Sequence, residues 1–117
     1  MDDELPRPTV VVLMAEHGPF LWNRSPRRDR SGDDHVVDPA ELGVSAPLIE
    51  AMTEWNAEFE WHGSPGSESW DSPGAEAAWR RRGLTLAHRL QHELGPDIEV
   101  RYHDDADERP VIGRRGP

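Results

Sequence analysis

With 117 residues, no cysteine, and 23 acidic against 13 basic residues, the chain carries a formal charge of −10 and a sequence pI near 4.9. That length supports one modest core and excludes a doubly wound nucleotide fold, a TIM barrel or a second domain. The charge repels phosphate backbones, the missing thiols remove disulfide and thiolate chemistry, and no apolar run is long enough to span a bilayer, so nucleic-acid and membrane partners are not expected.

Residues 1–8 are acidic and proline-bearing and are expected to be flexible. The opening Met1-Asp2-Asp3-Glu4 is the reverse of a basic signal-peptide start, so a cytoplasmic protein is expected. Thr9 to Met14 is a β-branched apolar run, the pattern of a central strand covered on both faces. Glu16-His17-Gly18-Pro19 turns the chain, and Phe20-Leu21-Trp22 predicts a very short strand or an apolar plug. Residues 23–34 read as a mobile loop, from which an arm would return His35-Val36-Val37 beside Phe20-Leu21-Trp22.

The helical signals are more explicit. Asp38 is placed to cap, Pro39 to open and Gly43 to end a single helical turn, and Ser45 starts a second helix. That helix is predicted over Ala46 to Glu60, with Leu48, Met52, Trp55 and Phe59 on one face. Gly63-Ser64-Pro65-Gly66 breaks it. Ser72-Pro73 starts the second long helix, which runs to Leu94 and buries Ala75, Trp79, Leu86, Leu90 and Leu94. Gly83 falls inside that stripe, predicting that the first helix approaches closely there through Trp55. Ile98 to Tyr102 alternates as a final strand, and residues 104–117 form a mostly flexible tail in which only Val111 and Ile112 could dock.

The expected fold is therefore a two-layer α+β domain over residues 9–103, with a small two- or three-stranded sheet packed on an antiparallel helix pair. One sheet face would lack cover, leaving the valine strand half exposed unless a homodimer or another protein partner covers it.

Three groups of residues are candidates for chemistry. Glu16, His17, Asp34 and His35, with His103, could form a weak acid–base cluster, although no nucleophile accompanies them. His88 and His92 stand four apart on the second helix, but the wheel puts both on the solvent side and no third ligand joins them, so no metal and no cofactor is expected. Glu50, Glu54 and Glu58 form an acidic stripe on the first helix, partly neutralised by Arg80, Arg81 and Arg82. With Trp61 and Trp70 they are the candidate partner-binding residues, Trp61 and Trp70 flanking a shallow aromatic groove beside His62.

Pro19-Phe20-Leu21-Trp22, Val37-Asp38-Pro39, Leu42-Gly43-Val44-Ser45, Leu48, Trp55 and Leu94-Gly95-Pro96 together resemble a family of small uncharacterised proteins of high-GC actinobacteria. A basic complement made wholly of arginine is compatible with such a genome. The resemblance spans Thr9 to Tyr102 and implies no catalytic residue or ligand. The leading reading is a non-enzymatic protein-binding or regulatory module, antitoxin- or immunity-like by analogy of size and charge. The alternative is a small hydrolase or ligand-binding protein using His17, His35 and nearby carboxylates.

Overall fold

The computed structural model describes residues 8–16, 18–24, 35–62, 73–104 and 109–113. The elements follow as β1 (Val10–Leu13), β2 (Leu21–Asn23), β3 (His35–Val36), a 3-10 turn (Pro39–Leu42), α1 (Ala46–His62), α2 (Pro73–Leu94), β4 (Glu99–Tyr102) and a closing 3-10 turn (Val111–Gly113). The α+β reading holds. A helix pair packs on a small mixed sheet carried by β1, β2 and β4, with the two residues of β3 extending one edge.

The sheet order is β3-β2-β1-β4. β2 runs antiparallel to β1, pairing Leu13 with Leu21 and Val11 with Asn23. β4 runs parallel to β1, from Val10 opposite Glu99 to Leu13 opposite Tyr102. The arm returns as expected, with Val36 opposite Trp22 and His35 opposite Asn23. β1 is thus an inner strand, which suits its continuous apolar run.

One expectation is corrected here. All four residues of β1 are buried within a single chain. Val11 and Leu13 face the helices with Leu21, Val100 and Tyr102. Val12, on the other face, lies in register between Trp22 and Arg101, while Val10 stands opposite Glu99. Arg101 and Glu99 pair with each other on that face, where their alkyl stems can cover valine while their charges stay wet. The argument for a homodimer from a half-exposed strand therefore falls away. Trp22, expected in a very short strand or an apolar plug, lies in β2. It stands on the outer face, its indole donating to the Met14 carbonyl at 3.1 Å.

The helices follow their sequence signals closely. In the first 3-10 turn the Asp38 carboxylate accepts from Ala40 N at 3.0 Å, Pro39 opens the turn, and Gly43 closes it at φ +83°. Leu48, Met52, Trp55 and Phe59 bury one stripe of α1, each contributing about 1.5–3 kcal/mol of transfer free energy. α1 and α2 are antiparallel, because Ser45 meets Glu93 at one end while Glu58 meets Arg82 and Phe59 meets Trp79 toward the other.

The centre of the helix pair is a reciprocal clasp. Trp55 and Trp79 stack with centroids 4.8 Å apart and planes 4° from parallel. Each indole donates to the other residue's carbonyl, Trp55 Nε1 to Trp79 O at 3.0 Å and Trp79 Nε1 to Trp55 O at 2.8 Å. Both polar handles are thereby satisfied in the core. Gly83 lies against this clasp as its place in the stripe predicts, since a β-carbon there would stand 2.5 Å from Tyr102 Oη and 2.7 Å from Trp55 Cζ2.

Of the two tail residues expected to dock, Val111 does and Ile112 does not. Val111 is fully buried in the core while Ile112 is 71% exposed, and Pro110 bridges to Arg101 beside β4. Of the segments expected to be flexible, 1–8, 23–34 and 104–117, residues 1–7, 25–34, 105–108 and 114–117 lie outside the described residues, while Asn23 belongs to β2.

Candidate functional site

Glu16 and His103 follow the same ends of the parallel strands β1 and β4, with His103 N donating to Leu13 O at 3.0 Å. The β1–β2 connection containing Glu16 is anchored from α1. Buried Asn56 accepts from Glu16 N at 3.0 Å and donates to Gly18 O at 3.1 Å, and Glu60 accepts from Gly18 N at 2.8 Å. Asn56 is therefore a clamp with both halves of its amide used, a role its mid-helix position did not signal. His35 sits elsewhere, because β3 sets it opposite Asn23, which is itself opposite Val11. The register thus places His35 toward the far end of the sheet from Glu16 and His103. His17 and Asp34 lie outside the described residues.

On α2, His92 is exposed but His88 is half-buried, with its Nε2 enclosed, rather than on the solvent side. Among the described residues no three His, Cys, Asp or Glu side chains are grouped to hold a metal ion.

The acidic stripe lies where helical spacing puts it. Glu50 and Glu54 are exposed, and Glu58 is partly covered by Arg82, whose guanidinium stands 2.9 Å from its carboxylate. Arg80, expected to help neutralise that stripe, instead pairs with Glu76 at 3.1 Å and Asp104 at 3.2 Å. Trp61 is 83% exposed; Trp70 is outside the described residues.

Between the two helices runs a groove of about 250 Å³, walled by Glu54 and Glu58 on one side and Arg82 and Arg89 on the other, with Ala51, Trp55 and Leu86 beneath. The sequence carried a signal for it. Positions 51, 54, 55 and 58 make one edge of α1, and 82, 85, 86 and 89 make one edge of α2 at the same spacing.

At the end of this seam Glu93 closes the helix pair. Its carboxylate accepts from Ser45 Oγ at 2.6 Å and Ser45 N at 2.7 Å, at the start of α1. These two hydrogen bonds hold its pKa below the ordinary value of 4.5, with smaller help from the charges of Arg89 and His92. Ser45, expected to cap α1 itself, spends its hydroxyl as a donor to Glu93, which then supplies the negative charge at that helix start.

Taken together, these features define a small α+β protein with a charged groove over an apolar floor between its two helices. The family model described as Serratia CdiI immunity protein-like matches residues 10–105, from the first residue of β1 past the end of β4, and the chain belongs to that family. No curated protein and no solved structure matches the chain.

Proposed function

We propose that the protein is an immunity protein that binds a protein toxin and neutralises it by occupying it, without catalysing a reaction. The observation that supports this reading is the family match, which takes in both helices and all four strands. A pre-formed surface lowers the ordering cost of tight binding, and the Trp55–Trp79 clasp and the Ser45–Glu93 bond fix the helix pair at its middle and its end. The absence of cysteine suits a reducing compartment, and the cytoplasm is the expected place of action.

Co-expression with protein toxins from the same genome tests this. Growth should be restored by one of them, the two chains should co-elute as an equimolar complex, and the toxin should regain activity unmodified in mass once separated by denaturant. Rescue by trace amounts of this chain, with a covalently altered toxin, would overturn the non-catalytic reading.

A further inference from the structure

We infer that the closing strap of residues 109–113 is a latch. It leaves β4 and α2 while the rest of the fold stays shut, and it bares a strand edge with a valine-sized seat that takes an extended aliphatic segment. The inference rests on backbone geometry and burial and is independent of the immunity reading.

The two edges of β4 are covered differently. Glu99 N donates to Thr9 O at 2.8 Å and His103 N to Leu13 O at 3.0 Å, so residues 99, 101 and 103 turn their N–H groups toward β1. The N–H groups of Val100 and Tyr102 therefore face the outer edge, because β4 ends the sheet order. Two devices cover that edge as a further strand would. The Gln91 side chain accepts from Val100 N and donates to Ile98 O, both at 2.8 Å, and so covers the first half. The strap covers the second half. Pro110 forms an antiparallel bridge with Arg101, and Val111 is buried where the strap packs on α2 and β4.

The two covers are held with different strength. Gln91 belongs to a 22-residue helix whose Leu86, Ala87 and Leu90 lie in the core. From Arg109 to Ile112 the strap buries only Val111; Arg109 is exposed, Pro110 half-buried and Ile112 71% exposed. Proline cannot donate, so the bridge hangs on the backbone groups beside it. The transfer free energy of one valine is of the same size as the entropy cost of ordering a few residues, so closure of the strap is close to balanced. The rest of the fold shares a core spread over both helices and three strands. An open strap uncovers the outer edge at Tyr102 and the seat of Val111 between β4 and α2. The strap itself shows what fits there: an extended segment antiparallel to β4, with a β-branched aliphatic side chain turned inward.

Native-state hydrogen exchange of the full chain at low urea tests the latch. After correction for intrinsic rates, Tyr102 N–H should exchange at least about tenfold faster than Val100 and Arg101, and its rate should stay flat as urea rises. Phe59→Leu, which weakens the core where Phe59 packs on Trp79, should speed Arg101 and leave Tyr102 unchanged. Equal protection of Tyr102 and Arg101, or a Tyr102 rate that rises with that of Arg101 in Phe59→Leu, overturns the latch.

The seat is tested by supplying the strap as a separate peptide. Val111→Asp puts a carboxylate in the apolar seat and should hold the strap off in the full chain. A capped peptide with the sequence of residues 107–115 should then shift the amides of Val100 and Tyr102, and its twin with Asp in place of Val should not. Wild type should need at least about tenfold more peptide for the same shift, because its own strap competes at high effective concentration. Equal response of wild type and variant, or no response of the variant, overturns the seat. Shifts at Tyr102 that appear on concentrating the free variant identify a second copy as occupant and also overturn it. Failure of Val111→Asp to fold overturns the latch, since a strap that leaves alone does not unfold the protein by leaving.

Discussion

Gly83 and Asn56 are small residues whose replacement should be costly for opposite reasons. Alanine is the better helix former by about 1 kcal/mol, yet at position 83 its β-carbon would meet ring atoms that cannot easily retreat. Tyr102 Oη donates to Arg80 O at 2.9 Å, and Trp55 is held by its stack and its indole bond. Gly83→Ala should therefore destabilise the protein by about 1–3 kcal/mol in urea unfolding. Asn56→Leu keeps the branched shape but leaves Glu16 N and Gly18 O without the Asn56 amide, at a cost of about 1–3 kcal/mol. Hydrogen exchange at Glu16 should accelerate beyond the global change. The first of these sites was legible in the sequence, because a glycine inside an apolar stripe has few explanations besides close approach. The second was not. A polar residue beside Trp55 reads as the edge of a wet face, and only the folded β1–β2 connection supplies the groups it serves.

At the level of elements, helix boundaries and the pairing of stripes were readable because caps, prolines and glycines punctuate the chain locally. The partners of charged side chains were not. Arg80 and Arg82 differ by two positions, which rotates them some way around α2, so one meets Asp104 and the other Glu58. His88 was misplaced for a related reason: α2 is packed by α1, by β4 and by the closing 3-10 turn, so a wheel drawn for one buried stripe understates its cover. The bond between Ser45 and Glu93 joins two helix ends 48 residues apart and leaves no local trace. Glu93→Ala should cost about 0.5 kcal/mol at pH 7, as expected for a surface charge at a helix start. Because the folded pKa is lowered, this contribution is complete above the ordinary value of 4.5 and is lost as pH falls below it through the folded value. The gap between wild type and variant in denaturant unfolding should accordingly shrink as pH is lowered below 4.5.

For the whole molecule, the sheet explains why so little of the core is left to chance. β4 is held on β1 by its ladder, and Gln91 binds it to the end of α2, donating to Ile98 O at 2.8 Å and accepting from Val100 N at 2.8 Å. The closing turn then seals that side with Val111. Val111→Ala should lower stability by roughly 1.5 kcal/mol, about 0.8 kcal/mol for each buried carbon removed, as measured by thermal or urea unfolding. The class of the fold was evident from the order of patterns in the sequence. That β1 needs no second chain to cover it was not, since the cover comes from Trp22, Arg101 and Glu99, residues that read singly as polar or loose ends.

The parallel pairing of β1 with β4 also sets a condition on synthesis. Val11 leaves the ribosome well before its partner Val100, which lies beyond both long helices in the chain. Until then one edge of a four-residue apolar strand stays unpaired, however early α1 and α2 have formed. A nascent chain halted before Glu99 would present Val10–Leu13 as an open template for aggregation. Any binding by this fold would accordingly begin only with chains made past β4, not with shorter growing ones.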